Sequence, residues 1–243
     1  MHRFFLSKQM IVEDRVEFPE YISKQMKTVL RLKDQDHVIV LDNEGMQYEV
    51  EIEDILQKPV KAKVIKRESV SSEPKAIIGL FVSLTGREKF ELILQKCTEI
   101  GVNEFHPFIS SRSLVYGTKF SNKQVRWETI LREAAEQSCR GRIPILNQPQ
   151  IFSEALQTAK QEYDRVLFAW EEAGASHSIS QIYFDHGINS YALFIGPEGG
   201  FSLEEAQNAV DQGATLVSLG KRILRMETAA IAASFYLINQ LDV

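Results

Sequence analysis

Cysteine is scarce: Cys97 and Cys139 are the only two in 243 residues. They form no C-x-x-C pair and no zinc spacing with the five histidines. A disulfide framework is therefore excluded and no metal site is expected. A reducing cytoplasm is the natural compartment. Positive charge is not in excess either: 28 basic residues face 33 acidic ones, a net charge of -5. No global field draws this chain onto nucleic acid, so any basic footprint must be local. Long apolar runs are missing. The longest, Ala229 to Ile238, falls well short of the ~20 residues that span a bilayer. Lys8 and Gln9 break the apolar start of the chain before it becomes a signal-peptide core. The expectation is a soluble cytoplasmic protein with no membrane partner. Several catalytic signatures are absent as well. Without G-x-G-x-x-G or G-x-x-x-x-G-K-[ST], a dinucleotide site and a P-loop lose support. Without H-E-x-x-H or G-x-S-x-G, so do zincin and α/β-hydrolase chemistry.

What is present is an ordinary globular composition, 44% hydrophobic and 25% charged, enough for a real core. The first seventy or so residues read as short strands around one helix. His37 to Leu41 is a β-branched run, and Met46, Tyr48, Val50 and Ile52 alternate on one face. Val60, Ala62 and Val64 alternate with Lys61 and Lys63. Ile22, Met26, Val29 and Leu30 have helical spacing. Such a pattern suggests a small barrel. Residues 68–75 have linker composition, and the domain boundary is placed between 72 and 73. Beyond it strands and helices alternate. Ala76 to Val82, Arg165 to Trp170, Tyr191 to Ile195 and Leu216 to Leu219 read as buried strands, which implies α/β with a mainly parallel sheet.

Two loops stand out. Gly196-Pro197-Glu198-Gly199-Gly200-Phe201 leaves a buried strand and enters a helix with a Ser202/Glu205 capping box. Ligands in open α/β sheets bind beyond the carboxyl ends of strands, and such a glycine-rich loop lets backbone approach a ligand closely. A plain turn is the bland alternative. About twenty residues on, Leu219-Gly220-Lys221-Arg222-Ile223-Leu224-Arg225 also follows a strand and carries three cations. The helix after it is apolar on nearly every side, which implies burial, possibly against another subunit. A third segment, from Arg112 to Arg142, holds Arg112, Lys119, Lys123, Arg126, Arg132, Arg140 and Arg142 against Glu128, Glu133 and Glu136. This is an electrostatic footprint for phosphates unless helix-surface ion pairs absorb it. Arg140-Gly141-Arg142 is expected to remain free.

These residues carry a resemblance. The second domain looks like the SPOUT class of S-adenosyl-L-methionine-dependent RNA methyltransferases. The whole chain resembles the RsmE family, which methylates N3 of a uridine in 16S ribosomal RNA. The likeness runs through Met1 to Phe5, Val29-Leu30-Arg31, Gln95 to Val102, Ser111-Arg112-Ser113 and Glu133 to Ser138. It continues through Gly196 to Phe201 and Leu219 to Thr228. It implies an α/β fold with a PUA-like β-barrel over residues 1–72 that binds RNA. A SPOUT methyltransferase domain with a C-terminal trefoil knot follows over residues 73–243. It implies a homodimer acting on 16S ribosomal RNA or the small subunit. Gly196, Pro197, Glu198, Gly199, Gly200, Leu219, Gly220, Ile223 and Leu224 are then expected at the cofactor, with Ala169 and Trp170 as a third wall. Arg225 and Arg222 are the expected catalytic arginines and Glu198 a candidate base or loop-shaping carboxylate. Arg3, Arg31, Arg112, Arg140 and Arg142 are expected to hold RNA. Cys139 departs from the glycine that family members often carry. No catalytic framework surrounds it, so a covalent role is not assigned.

Overall fold

The structure is a computed structural model and describes residues 1–113, 121–184 and 187–242. The chain divides into two compact units: Met1–Glu73 with Ala135–Ile143, and Pro74–Ala134 with Pro144–Val243.

The first unit contains β1 (Arg3–Phe5), β2 (Ile11–Val12), β3 (Arg15–Glu17), α1 (Glu20–Thr28), β4 (His37–Leu41), β5 (Met46–Asp54) and β6 (Lys61–Ser69). The six strands form one sheet in the order β1-β4-β5-β6-β3-β2. Only the β1–β4 pair is parallel. Alternation explains the core: Val50 and Ile52 of β5, Val60, and Ala62 and Val64 of β6 are buried together with Phe4, Val16, Val38 and Val40. Ile22 and Met26 of α1 close this core. Val29, expected on the same helical face, is 69% exposed because α1 stops at Thr28. The lysines of β6 face outward, and Lys61 pairs with Glu17 at 3.0 Å.

The boundary differs from a simple cut in the linker. β4 is buried on both faces from Val38 to Leu41. Its second face, Ile39 and Leu41 with Phe5, packs on Ala135, Val70 and Ile143. Ala135–Ile143 therefore belongs to the first unit because, together with Val70, it covers this apolar strand surface. Cys139 lies in this segment at a φ of +63°. That left-handed conformation costs an L-residue roughly 1–2 kcal/mol, whereas glycine adopts it freely. A glycine at this position would be free of that cost.

The second unit is built from β7 (Ile77–Ser83), α2 (Arg87–Ile100), β8 (Glu104–Ile109), α3 (Ser121–Gln137), β9 (Ile145–Leu146), β10 (Gln150–Ile151), α4 (Phe152–Glu162), β11 (Arg165–Ala169), β12 (Ser190–Ile195), α5 (Leu203–Asp211), β13 (Thr215–Val217) and α6 (Met226–Leu241). Its seven strands run in the order β10-β8-β7-β12-β11-β13, with β9 also on β8. Every pairing is parallel. α6 lies against α2, β7 and β12, and α4 lies against β8 and β11. Phenylalanines 81, 108, 152, 168, 194 and 201 form the core between the sheet and α4 and α5. β8 and α4 were not anticipated. β8, Glu-Phe-His-Pro-Phe-Ile, carries a proline and two polar residues that mask its β character.

Those polar residues are satisfied in place. The Tyr163 hydroxyl donates to Glu104 Oε2 at 2.7 Å. His106 Nε2 lies 2.9 Å from that hydroxyl and 3.2 Å from Glu104. The His106 ring stacks on Phe81 at 4.1 Å. The hydrogen bond with His106 draws the Glu104 carboxyl below its ordinary value; burial opposes it and the Tyr163 bond adds to it. A carboxylate with a depressed folded-state pKa contributes stability above the unfolded value, ~4.3, and loses it as pH falls through the folded one. Thermal melts should therefore show the wild type losing Tm on acidification more steeply than Glu104→Gln. Parallel slopes would remove Glu104 from the acid response.

Candidate functional site: the cavity at three strand ends

β11, β12 and β13 are adjacent and parallel, so their carboxyl ends open on the same edge of the sheet. The chain leaving each strand walls one cavity of about 430 Å³, a size suited to a small organic ligand. β11 contributes Ala169 and Trp170, and the Trp170 N–H extends the ladder to Val217 O at 3.0 Å. β12 contributes Gly196, Pro197, Glu198, Gly200 and Phe201. The loop after β13 contributes Leu219, Gly220, Ile223 and Leu224 together with Lys221, Arg222 and Arg225. Arg225 is the N-cap residue of α6, whose first turn completes the wall with Met226 and Glu227.

The loop after β12 is shaped by close approach. A Cβ on Gly196 would lie 3.0 Å from Cδ2 and Cε2 of the Phe201 ring. That ring is buried and stacks on Phe168 at 4.0 Å. At Gly200, φ is +67° and the Glu171 carboxylate occupies the place of a Cβ. Ser202 and Glu205 then start α5 with the expected capping box: Glu205 N–H donates to Ser202 Oγ at 3.1 Å, and Ser202 N–H to Glu205 Oε2 at 2.9 Å.

Gly199 does not line the cavity. A Cβ there would sit 3.4 Å from Arg112 Cβ, on the other flank of the loop. Arg112 is also placed differently from expectation. Its Nη1 donates to Gly199 O at 3.1 Å and Phe201 O at 3.3 Å.

Glu198 accepts hydrogen bonds on one carboxylate oxygen from the Thr85 hydroxyl and, at 2.9 Å, from Lys89 Nζ. Burial raises its carboxyl, but these two bonds outweigh burial and leave it below its ordinary value. A carboxylate held ionised in this way is a weak proton acceptor, so the loop-shaping role is the one its geometry supports. By contrast, Lys221, Arg222 and Arg225 make no side-chain hydrogen bond or ion pair among the described residues, and all three are exposed at the cavity.

The arginines expected at RNA divide. The Arg140 side chain, expected to be free, is 3% exposed and pairs with Glu73 at 2.8 Å. Glu73 Oε1 also accepts from Gly141 N at 2.8 Å and Arg142 N at 3.2 Å. Arg140 and Glu73 thus form an ion pair within the first unit. Removing Arg140 leaves Glu73 with its two backbone donors but no countercharge, a loss below the ~3–5 kcal/mol of a fully buried pair. Arg140→Ala should accordingly lower Tm by several degrees, measurable by calorimetry. An unchanged Tm would return Arg140 to the surface. Arg142 is exposed and bonds Glu44 O at 3.1 Å. Arg31 is exposed at a φ of +54°. Arg3 bonds Gln47 Oε1 at 2.8 Å. Within the basic segment, Arg126 forks onto Glu91 at 2.6 and 2.7 Å, holding that carboxyl at about 2. Lys119 lies outside the described residues. Pairing therefore absorbs more of this footprint than the sequence suggested. Neither cysteine enters the site, and burial pushes the Cys97 thiol up to about 12.

Lys89, Glu171 and Glu227 line the cavity without having been singled out beforehand. Lys89 sits in the first turn of α2, directly after a buried strand, the same signal that marked the other two loops. Glu227 Oε2 is buried with no hydrogen-bond partner among the described residues. The residues fit S-adenosylmethionine. Apolar Pro197, Leu219, Ile223 and Leu224 offer surface to a flat base, and Glu171, Glu198 and Glu227 offer negative charge to a sulfonium and an ammonium.

α6 is less completely buried than its composition implied. Its own chain covers Met226, Ala230, Ala233, Ser234, Leu237 and Ile238. Ala232 is exposed and Phe235 is 59% exposed, with Ile231 and Tyr236 half-buried beside them.

Known proteins share this arrangement. A family model described as an RNA methyltransferase domain matches residues 72–238. Ribosomal RNA small subunit methyltransferase E of Mesomycoplasma hyopneumoniae is 35% identical over 232 residues, 95% of this chain and 96% of that protein. Its Bacillus subtilis namesake is 32% identical over 84% of this chain and 82% of that one. The structure is similar to that of the same enzyme from Neisseria gonorrhoeae bound to S-adenosyl methionine, with a TM-score of 0.87 at 29% identity, covering 99% and 98% of the two chains. The fold is accordingly the SPOUT methyltransferase type with a PUA-like barrel before it. With one relative above 30% identity along nearly the whole chain and a family model over most of it, the chain belongs to the ribosomal RNA small subunit methyltransferase E family.

Proposed function

We propose that the protein methylates N3 of a uridine in 16S ribosomal RNA, with S-adenosylmethionine bound at the ends of β11, β12 and β13. The observation that carries this reading is the set of three cations, Lys221, Arg222 and Arg225, unpaired among the described residues, on the wall of a cavity built from glycine-rich backbone. Bound there, S-adenosylmethionine supplies an activated methyl group. The chain must do the rest. Uridine N3 is a weak nucleophile while protonated, and losing that proton spreads negative charge onto O2 and O4. A planar guanidinium matches two such oxygens, which makes Arg225, with Arg222 beside it, the group that stabilises the reacting base. Glu198 holds the loop. Glu171, which has no hydrogen bond among the described residues, and Glu227, with a bare oxygen, are the cavity carboxylates left to take part in proton removal. N3 lies on the Watson–Crick edge, so the target is unpaired or flipped out.

In this reading residues 1–72 form the RNA-binding barrel and residues 73–243 the methyltransferase domain with its C-terminal knot. Arg3, Arg31 and Arg142 hold RNA phosphates, and the enzyme works in a reducing cytoplasm as a homodimer. The apolar stripe of Ala232 and Phe235 supports the dimer, since water is a poor neighbour for it. Mass mapping of the methylated nucleotide after incubation with 16S ribosomal RNA and S-adenosylmethionine tests the reaction. Ribose 2′-O-methylation in its place points to another SPOUT activity. Calorimetry showing no S-adenosylmethionine binding points to a non-catalytic RNA-binding protein.

A further inference from the structure

We infer that Arg112 is a positioning residue of the cofactor loop, and that the turn Ser110–Ser113 is the brace through which the end of β8 holds that loop. The inference rests on the cavity being the S-adenosylmethionine site. Three independent contacts join the turn to the loop. Arg112 Nη1 donates to the carbonyls of Gly199 and Phe201, at 3.1 and 3.3 Å. Ser111 N–H donates to Glu205 Oε1 at 2.9 Å, while Glu205 Oε2 accepts from Ser202 N–H at the other end of the same loop. The Arg112 side chain also packs where Gly199 has none, with 3.4 Å between its Cβ and the place of a Cβ on the glycine.

The turn is itself anchored. Ser113, 1% exposed, lies 2.7 Å hydroxyl to hydroxyl from Ser83 at the end of β7, and its Oγ accepts from Ser110 N–H at 2.9 Å. Hydrogen bonds thus run from the end of β7, through the turn, to both ends of the segment 199–205. Thr85 and Lys89 hold the same loop at Glu198. The loop is clamped by the ends of β7 and β8 on one side while its other side forms the cavity. This explains why an arginine stands in Ser111-Arg112-Ser113: one guanidinium nitrogen reaches two backbone carbonyls, and its charge strengthens both bonds. A phosphate ligand would leave those carbonyls without this donor.

The clamp pre-organises the site, so its loss raises the cost of ordering the loop when the cofactor binds. Binding of S-adenosylmethionine to Arg112→Ala, measured by calorimetry without RNA, is expected to weaken about 10–100-fold, the range of a lost charge-assisted hydrogen bond. In steady-state assays the KM for S-adenosylmethionine rises while kcat at saturation stays roughly constant, the mark of lost binding rather than lost chemistry. Arg112→Lys, which keeps a donor, recovers part of the affinity. It also serves if the alanine variant does not fold, which its thermal melt reports. S-adenosylmethionine affinity within about twofold of wild type in either folded variant overturns the inference. If RNA binding then weakens with a salt slope lower by ~1, Arg112 belongs to the RNA surface. Failure of the wild type to bind S-adenosylmethionine refutes the proposed function instead, so the two failures are distinguishable.

Discussion

Arg225→Lys is expected to slow methyl transfer about 10²–10³-fold, the usual consequence of losing one oriented donor at a developing charge. Affinity for S-adenosylmethionine should hardly change. Lysine keeps the positive charge but loses the planar fork that spans O2 and O4 of a uracil. Arg225 is suited to this role because it is the N-cap residue of α6, on the cavity wall, with no ion pair among the described residues. Its backbone is fixed by the helix start, while its guanidinium remains available. An arginine that merely holds a phosphate behaves otherwise: its loss weakens RNA binding and lowers the salt dependence, yet chemistry in the bound complex continues. Single-turnover rates at saturating RNA separate the two. A wild-type rate combined with weaker, less salt-sensitive RNA binding would transfer the catalytic role to Arg222.

Gly196→Val should abolish high-affinity cofactor binding, with a loss of at least ~10-fold, and lower Tm as well. The position of a Cβ is already 3.0 Å from two ring carbons of Phe201. That ring cannot retreat into the core, because Phe168 stacks on it and Phe108 and Phe152 also adjoin it. It lines the cavity, so it is displaced toward the ligand's space. Overpacking of this kind typically costs ~1–3 kcal/mol. Gly199→Ala is the contrasting variant. Its added carbon meets Arg112 at an ordinary 3.4 Å, outside the cavity lining, and its effect on S-adenosylmethionine affinity should stay within about twofold. Calorimetric titration of both variants measures this difference. Equal effects at the two positions would mean that the loop acts as an undivided unit rather than through two distinct faces.

Much of this site was legible from residue order alone. Buried strands ending in Gly196-Pro197-Glu198-Gly199-Gly200 and in Leu219-Gly220 place two loops on one edge of a parallel sheet, whatever the rest of the chain does. That follows from strand polarity, a local property. The Ser202/Glu205 cap was likewise readable, since its partners are three residues apart. Side-chain commitments were not. Arg112, Arg140 and Arg225 are equivalent as letters in the sequence. They differ because Gly199 and Phe201 carbonyls lie beside the first, Glu73 lies beside the second, and no such acceptor lies beside the third among the described residues. Each of those partners is remote in sequence, and only folding brings it within hydrogen-bond range. The same holds for Glu198, whose partners Thr85 and Lys89 are both more than a hundred residues away in sequence. Ala135–Ile143 joins the first unit for a related reason: the apolar second face of β4 needs a cover, and local periodicity cannot say which distant segment supplies it. Residue order alone places the strand-end loops on one edge of the sheet. The tertiary structure decided which charges remain free to act, because charge neutralisation depends on distance in space and not along the chain.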